Sequence, residues 1–368
     1  MKFSATLTLL LLWLAAALAP AAPHPTPRPG AFHFPPFFKR AATPSPTPIP
    51  HPIAPAKKPT APIVPPRPRP APTPMVALPN YDEATSVRLQ IFLDNHGFGP
   101  GKIDGKMGEF FRKALIAYKK ANGLELNGAV DQSLLEQVPE PYFRYSIRPG
   151  DMQFVGATAS KPSEQAKLKA LNYGSVLELV CERYHAAEDF IRQINPGINF
   201  EHLQSGDTLN VPNVQPFEIE KLSEGSVPEN PALAGRKVVI DTYERFLEIH
   251  ESDKIIAEFP ITPGSSTLPA PIGTWKILGI ATLPWFRHDE GVLNGGVVTD
   301  KFFNLPAGPN NPVGVLWMSL SKPHVGIHGT NNPETIGRAA SHGCIRTANW
   351  DAARIKDLVT KGCTVEIF

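Results

Sequence analysis

No aspartate or glutamate precedes Asp82, although the 368-residue chain holds 34 acidic side chains. That leading stretch carries eight of the 36 Lys and Arg residues, which leaves 28 basic against 34 acidic groups in the remainder. A net negative remainder cannot neutralise a run of phosphates, and this excludes a dedicated nucleic-acid binder. Cysteine is scarce and odd in number, three in all. A disulfide-stapled scaffold is therefore excluded, and at least one thiol has no partner within the chain. Beyond the N-terminus no hydrophobic run reaches the roughly 20 residues of a membrane span. There is no ATP-binding motif and no internal repeat.

Proline is what the chain has in excess. Of 42 prolines, 22 lie between Pro20 and Pro79, interleaved with Ala, Thr and Arg. Such a stretch favours extended polyproline II and cannot bury a core, so residues 22–80 are expected to be a disordered linker whose use is reach. Ahead of it, Lys2, the apolar residues 9–18 and the small Ala19 and Ala21 read as a secretory signal, residues 1–21. A retained membrane anchor is the alternative, but the apolar run stops near Ala22. The expectation is an exported protein of the periplasm or cell wall, with no stable membrane insertion after signal cleavage.

The length remaining predicts two or three domains. Residues 81–140 read as helical, with Val87, Ile91 and Leu93 on one helix and Phe111, Ala114, Leu115 and Tyr118 on a second. Gly123 suits the second helix's end, and Asp131 suits the start of a third that carries Leu134, Leu135 and Val138. The glycine-rich "HGFGPGKIDGKMG" separates the first two. Together these features resemble the three-helix peptidoglycan-binding domain. Residues 141–215 read as strand, helix, helix, strand, from "YSIRPGD" to "GDTLNVP". That order resembles LysM, a module for N-acetylglucosamine polymers, except that some twenty residues separate the "GD" turn from the first helix. A polar connector is expected at 216–235.

From Arg236 the texture is β. "KVVIDTYERFLEIHESDKIIAEFPIT" predicts two strands about an "HESDK" turn; "PIGTWKILGI", "VGVLWMSLS" and "HVGIHG" add strands. In the last of these, alternation puts His324, Gly326 and His328 on one face. "NWDAARIKDLVTKG" predicts a helix capped at Asn349, and "CTVEIF" a final strand.

Chemistry gathers at "SHGCIR", where Cys344 follows His342 and Gly343, with His328 sixteen residues upstream. A thiol attacks well only as thiolate, and a neutral imidazole can take its proton and later return it to a leaving amine. Gly343 permits a tight turn that aims successive backbone N–H groups at one point, as an oxyanion requires. The same residues, with His324, are candidate zinc ligands, but their spacing fits no common zinc pattern. Cys181 and Cys363 read as small buried hydrophobes, with a bond between them as the alternative.

"GIHGT", "NNPETIGRAASHGCIRTANWDA" and "NLPAGPNNPVGVLWMSLSKP" together closely resemble the L,D-transpeptidase (YkuD-type) catalytic domain, over residues 236–368. The resemblance implies a multidomain protein: a mainly-β, β-sandwich catalytic domain preceded by the three-helix domain and the βααβ LysM-like module. It implies Cys344 as nucleophile and His328 as proton acceptor. It implies further that the Gly329 carbonyl orients that imidazole and that His342 and Gly343 shape the nucleophile loop. Ser341 opens the motif, Arg346 suits a stem-peptide carboxylate, and Trp317 and Trp285 line the donor groove. The implied reaction joins peptidoglycan stem peptides through a thioester, without cofactor or metal. The alternatives are a hydrolase with the same site and a non-enzymatic binder of stem peptides and glycan strands.

Overall fold

The first helix, α1 (Glu83–Asn95), starts where the Asp82 carboxylate accepts from the Thr85 backbone N–H, and it buries Val87, Leu89, Ile91, Phe92 and Leu93. The computed structural model describes residues 78, 80–126, 132–265, 268–295, 297–338 and 343–368. All belong to one compact unit, residues 62–368. The signal segment, most of the proline-rich stretch, Asp131, Ser341 and His342 lie outside the described residues. Among the described residues no helix is long and apolar enough to cross a membrane.

Gly97, Gly101 and Gly105 all take positive φ in the turn that leads to α2 (Glu109–Ala121), whose buried stripe is Phe111, Ala114 and Leu115. A short α3 (Gln132–Glu136) adds Leu134. The chain then enters β1 (Tyr142–Ser146), α4 (Pro162–Gln165), α5 (Val176–Arg183), α6 (Glu188–Gln193) and β2 (Thr208–Pro212). β1 and β2 pair antiparallel, with Tyr145 opposite Leu209. The twenty extra residues before α5 hold α4 and fold back on themselves, Tyr173 N–H donating to Phe154 O and Gly156 N–H to Tyr173 O.

The expected polar connector at 216–235 is instead built into the fold. Phe217 and Ile219 are buried, Glu220 pairs with Arg183 at 2.9 Å, and β3 (Gly225–Ser226) hydrogen-bonds to the sheet that follows.

That sheet begins with β4 (Lys237–Asp241), β5 (Phe246–Glu251) and β6 (Lys254–Pro260). The two strands expected here are three. The first turn lacks glycine and proline, and the Asp241 side chain makes it by accepting from the N–H groups of Tyr243 and Glu244, with Arg245 at φ 61°. The elements β7 (Gly273–Thr282), β8 (Phe286–His288), α7 (Glu290–Gly295), β9 (Phe303–Leu305), β10 (Leu316–Leu320) and β11 (Gly326–His328) follow. β12 (Ile345–Arg346), α8 (Asn349–Leu358) and β13 (Thr364–Ile367) complete the chain.

The expected two-sheet sandwich is one nine-stranded sheet, in the order β12-β11-β10-β7-β13-β4-β5-β6 with β3 beside β7. β7 explains the difference. Its first four residues pair with β13 and five of its last six with β10, so one long strand carries the ladder from one half to the other. β8 and β9 form a separate ribbon.

The segments N-terminal to the sheet are packed against it. Phe98 bridges to Glu258 on β6, with Gly99 N–H donating to Glu258 O at 2.7 Å and Glu258 N–H to Gly97 O at 3.0 Å. Arg354 on α8 grips buried Asp94 of α1 at 3.0 and 2.6 Å. The same carboxylate meets His185 Nδ1 at 3.0 Å, and the His185 ring stacks on Trp350.

Since Arg354 is spent on Asp94, Asp351 lies buried with neither carboxyl oxygen hydrogen-bonded to a described residue. Burial raises it to about 8 against the attraction of Arg354. For an acid raised in the fold, the folded state keeps a proton that the unfolded chain loses above pH 4. The penalty therefore grows from about pH 4 to pH 8 and then levels off. Asp351→Asn is expected to remove it, a gain on the order of 4 kcal/mol at pH 7. Urea unfolding at pH 5 and pH 8 checks this: the wild type should lose stability over that interval and the variant should not.

Candidate active site

β11 and β12 run parallel, with Ile327 opposite Ile345 and His328 opposite Arg346. Cys344 immediately precedes β12, so it stands one strand over and two residues along from His328, about 8 Å between Cα atoms on standard strand spacings. Gly343 supplies the bend before it at φ 94°, a conformation that disfavours any side chain. The strand read from "HVGIHG" is shorter than expected: His324 sits in the preceding turn at φ 61°, off the face it was expected to share. Its carbonyl accepts from the Cys344 thiol at 3.7 Å.

Cys344 is half-buried, whereas Cys181 and Cys363 are buried; none of the three is in a disulfide. Burial pushes the Cys344 thiol up, while a hydrogen bond with the Gly326 backbone and the charge of Arg346 pull it back. His328 is buried, and burial takes its imidazole down to about 4, the hydrogen bond to Gly329 working against that shift and Arg346 with it. Thiol and imidazole therefore both stand neutral at pH 7.

Nδ1 of His328 lies 2.6 Å from the Gly329 carbonyl. A carbonyl can only accept, so Nδ1 carries the proton and Nε2 is left as the basic nitrogen. Trp317, opposite His328 on β10, stacks on the imidazole at 5.5 Å between centroids, and its indole N–H donates to Ser319. Its ring is thus used against His328. Trp285 is half-exposed and bonded to Glu224.

Arg346 exchanges two backbone hydrogen bonds with Thr262, while its guanidinium Nε is buried without a hydrogen-bond partner among the described residues. No described carboxylate pairs with this cation, whose charge is felt at both His328 and Cys344. Thr262 also holds the start of the nucleophile segment, its hydroxyl accepting from Gly337 N–H at 2.8 Å. From outside, Arg245 donates to Gly337 O at 2.9 Å and to Glu109 of α2 at 2.6 Å, and the Phe110 ring packs against Gly337. No described group of three or more His, Cys, Asp or Glu residues is arranged to hold a metal ion.

A neutral thiol one strand away from a neutral, oriented imidazole, with a guanidinium that no described carboxylate pairs, is suited to acyl transfer on a substrate that carries a carboxylate. Comparison with known proteins gives that chemistry a family. Residues 235–367 match the L,D-transpeptidase catalytic domain (YkuD), and residues 84–138 match a domain described as "Putative peptidoglycan binding domain". The chain carries an L,D-transpeptidase catalytic domain. With it the protein is a cysteine-dependent enzyme.

Relatives of the L,D-transpeptidase domain include "Putative L,D-transpeptidase YkuD" of Bacillus licheniformis. It is 28% identical over 194 residues, 53% of this chain and 94% of that protein. Its namesake in Bacillus subtilis is 25% identical over the same spans. "Probable L,D-transpeptidase YbiS" of Escherichia coli is 39% identical over 196 residues, 52% of this chain and 59% of that one. The solved L,D-transpeptidase from Mycobacterium smegmatis overlays 45% of this chain and 76% of its own at 15% identity, with a TM-score of 0.30, too low to add to these matches. Residues 141–215, where the LysM-like module is expected, lie between these two matched segments.

The sequence reading missed Asn349 and Glu182. Asn349 was expected to cap α8, but the cap is Ala348, and the Asn349 side chain turns inward to Val315, Pro309 and Glu182. Nothing in the local sequence separates a buried Glu182 from a solvated helical glutamate.

Proposed function

We propose that the protein is an exported peptidoglycan L,D-transpeptidase in which Cys344 is the nucleophile and His328 the base. The thiol attacks the carbonyl of the third residue of a donor stem tetrapeptide as Nε2 of His328 takes its proton. Backbone N–H groups at Gly343 and Cys344, with His342 and Ser341 shaping the loop, receive the oxyanion. The tetrahedral adduct expels D-alanine, whose amine regains the proton, and a thioester remains. An amine of a second stem then attacks that thioester, forming the cross-link and freeing the thiol. Arg346 holds a stem carboxylate. No external energy source is needed, because the peptide bond broken supplies the driving force.

The reading rests above all on one observation: the half-buried Cys344 lies a strand away from an imidazole whose tautomer is set by Gly329, within a domain matched to L,D-transpeptidases. Export follows from the composition of residues 1–21. The helical domain is read as a peptidoglycan-binding element and the βααβ unit as a LysM-like glycan-binding module. Incubation with tetrapeptide-bearing wall fragments tests the proposal. A cross-linked product with release of D-alanine is expected. Shortened or separated stems would make the enzyme a hydrolase, and unchanged material would reduce it to a binder.

A further inference from the structure

We propose that Glu182 and Asn349 are positioning residues for His328, so that the unit formed by residues 142–212 completes the active site from behind. The inference rests on His328 being the base. The chain of contacts starts at the imidazole, which donates to Gly329 O. Gly329 has no space for a side chain: a Cβ there would lie 2.2 Å from Asn349 Oδ1, and one at Gly314 would lie 2.0 Å from the same atom. The Asn349 carboxamide is therefore packed directly on the backbone whose carbonyl sets the imidazole.

That carboxamide is held by three hydrogen bonds. Oδ1 accepts from Val315 N–H at 3.1 Å, and Nδ2 donates to Pro309 O at 3.1 Å and to Glu182 Oε1 at 2.9 Å. Glu182 comes from α5, outside the residues matched to the catalytic domain, and is only 6% exposed. Its Oε1 accepts a second bond, from Tyr173 OH at 2.8 Å. One turn earlier on α5, Glu178 accepts from Asn310 Nδ2 at 2.8 Å, and Leu171 exchanges backbone bonds with Ala307 and Asn310. The loop that precedes β10 is thus pinned by Glu178 on α5 and by Leu171 in the segment before it.

Removing the Glu182 acceptor leaves one Asn349 N–H buried without a partner. The amide must then turn to find one, and the Gly329 carbonyl loses the surface against which it is seated. A displacement of this kind misdirects Nε2 of His328, and errors near 1 Å in a catalytic group cost on the order of 100-fold in rate.

The test uses the full chain with Glu182→Met, Glu182→Gln and His328→Ala. Release of D-alanine from a tetrapeptide gives kcat and KM, and the rate of Cys344 alkylation by iodoacetamide is followed against pH. Glu182→Met, similar in volume and without an acceptor, is expected to lower kcat about 10- to 100-fold with KM within about 3-fold. Its alkylation profile should move toward that of His328→Ala. Glu182→Gln keeps the Oε1 acceptor and should restore both readouts. A folded Glu182→Met enzyme with the wild-type profile would overturn the proposal, as would a Gln variant as impaired as the Met one. Should the Met variant unfold, Tyr173→Phe, which removes a donor from the same oxygen, is expected to give a smaller shift of the same kind, and no shift would count against it equally. If His328→Ala itself leaves the alkylation profile unchanged, the base assignment fails, and it fails separately from the role of Glu182.

Discussion

Cys344→Ala is expected to abolish acyl-enzyme formation while leaving the fold intact. The thiol carries the only bond to the acyl group in the proposed pathway, and what is left after its loss is binding and oxyanion stabilisation. Loss of a nucleophile from a catalytic constellation costs at least about 10⁴-fold in turnover. Stability should change by no more than about 1 kcal/mol, because the half-buried sulfur's bonds, to His324 O at 3.7 Å and with the Gly326 backbone, are weak thiol hydrogen bonds. Intact mass after exposure to a tetrapeptide donor separates the cases: the wild type gains the tripeptide acyl mass and the variant gains nothing. Normal turnover by the alanine variant would remove Cys344 from the mechanism. Since thiol and imidazole rest neutral, alkylation of the wild type at pH 7 should also be slower than that of a standing thiolate.

The largest expected loss of stability comes from Arg354→Met. Arg354 makes two hydrogen bonds to Asp94, a carboxylate that burial would otherwise raise and that Arg354 and His185 hold below the usual range. Taking away one partner of a buried ion pair leaves an uncompensated charge, at a cost of about 3–5 kcal/mol. His185 does not replace the guanidinium, because burial lowers its own affinity for a proton. Asp94 belongs to α1, His185 follows α5 and Arg354 lies on α8. The variant should therefore lose all three segments together in one denaturant transition at lower midpoint. A change under about 1 kcal/mol, or separate transitions for the segments, would show that this cluster does not tie them.

Helix stripes, the Gly343 bend and the strand of His328 beside the segment of Cys344 were legible because each leaves a local mark: a period, a glycine, a motif. The sheet's connectivity was not. Ten residues read as one strand do not reveal that their two halves have different neighbours, and the turn at Asp241 is made by a side chain where glycine or proline would have announced it. The interior was harder still. Val176, Leu177 and Val180 give α5 an apolar face that its sequence shows, yet Glu182 is as buried as they are, because it is held by Tyr173 and Asn349, which are distant in sequence. Buried polar groups are specified by partners, and partners are a property of the fold.

The docking of Gly97–Gly99 on β6 has a practical corollary. β6 is the last strand on its side of the sheet, and these residues occupy the amide and carbonyl of Glu258 that would otherwise face solvent. A fragment trimmed to residues 236–368, the boundary that composition invites, would leave that ladder open. Open ladders recruit strands from neighbouring molecules, so the excised fragment carries an aggregation hazard that the intact chain has already closed.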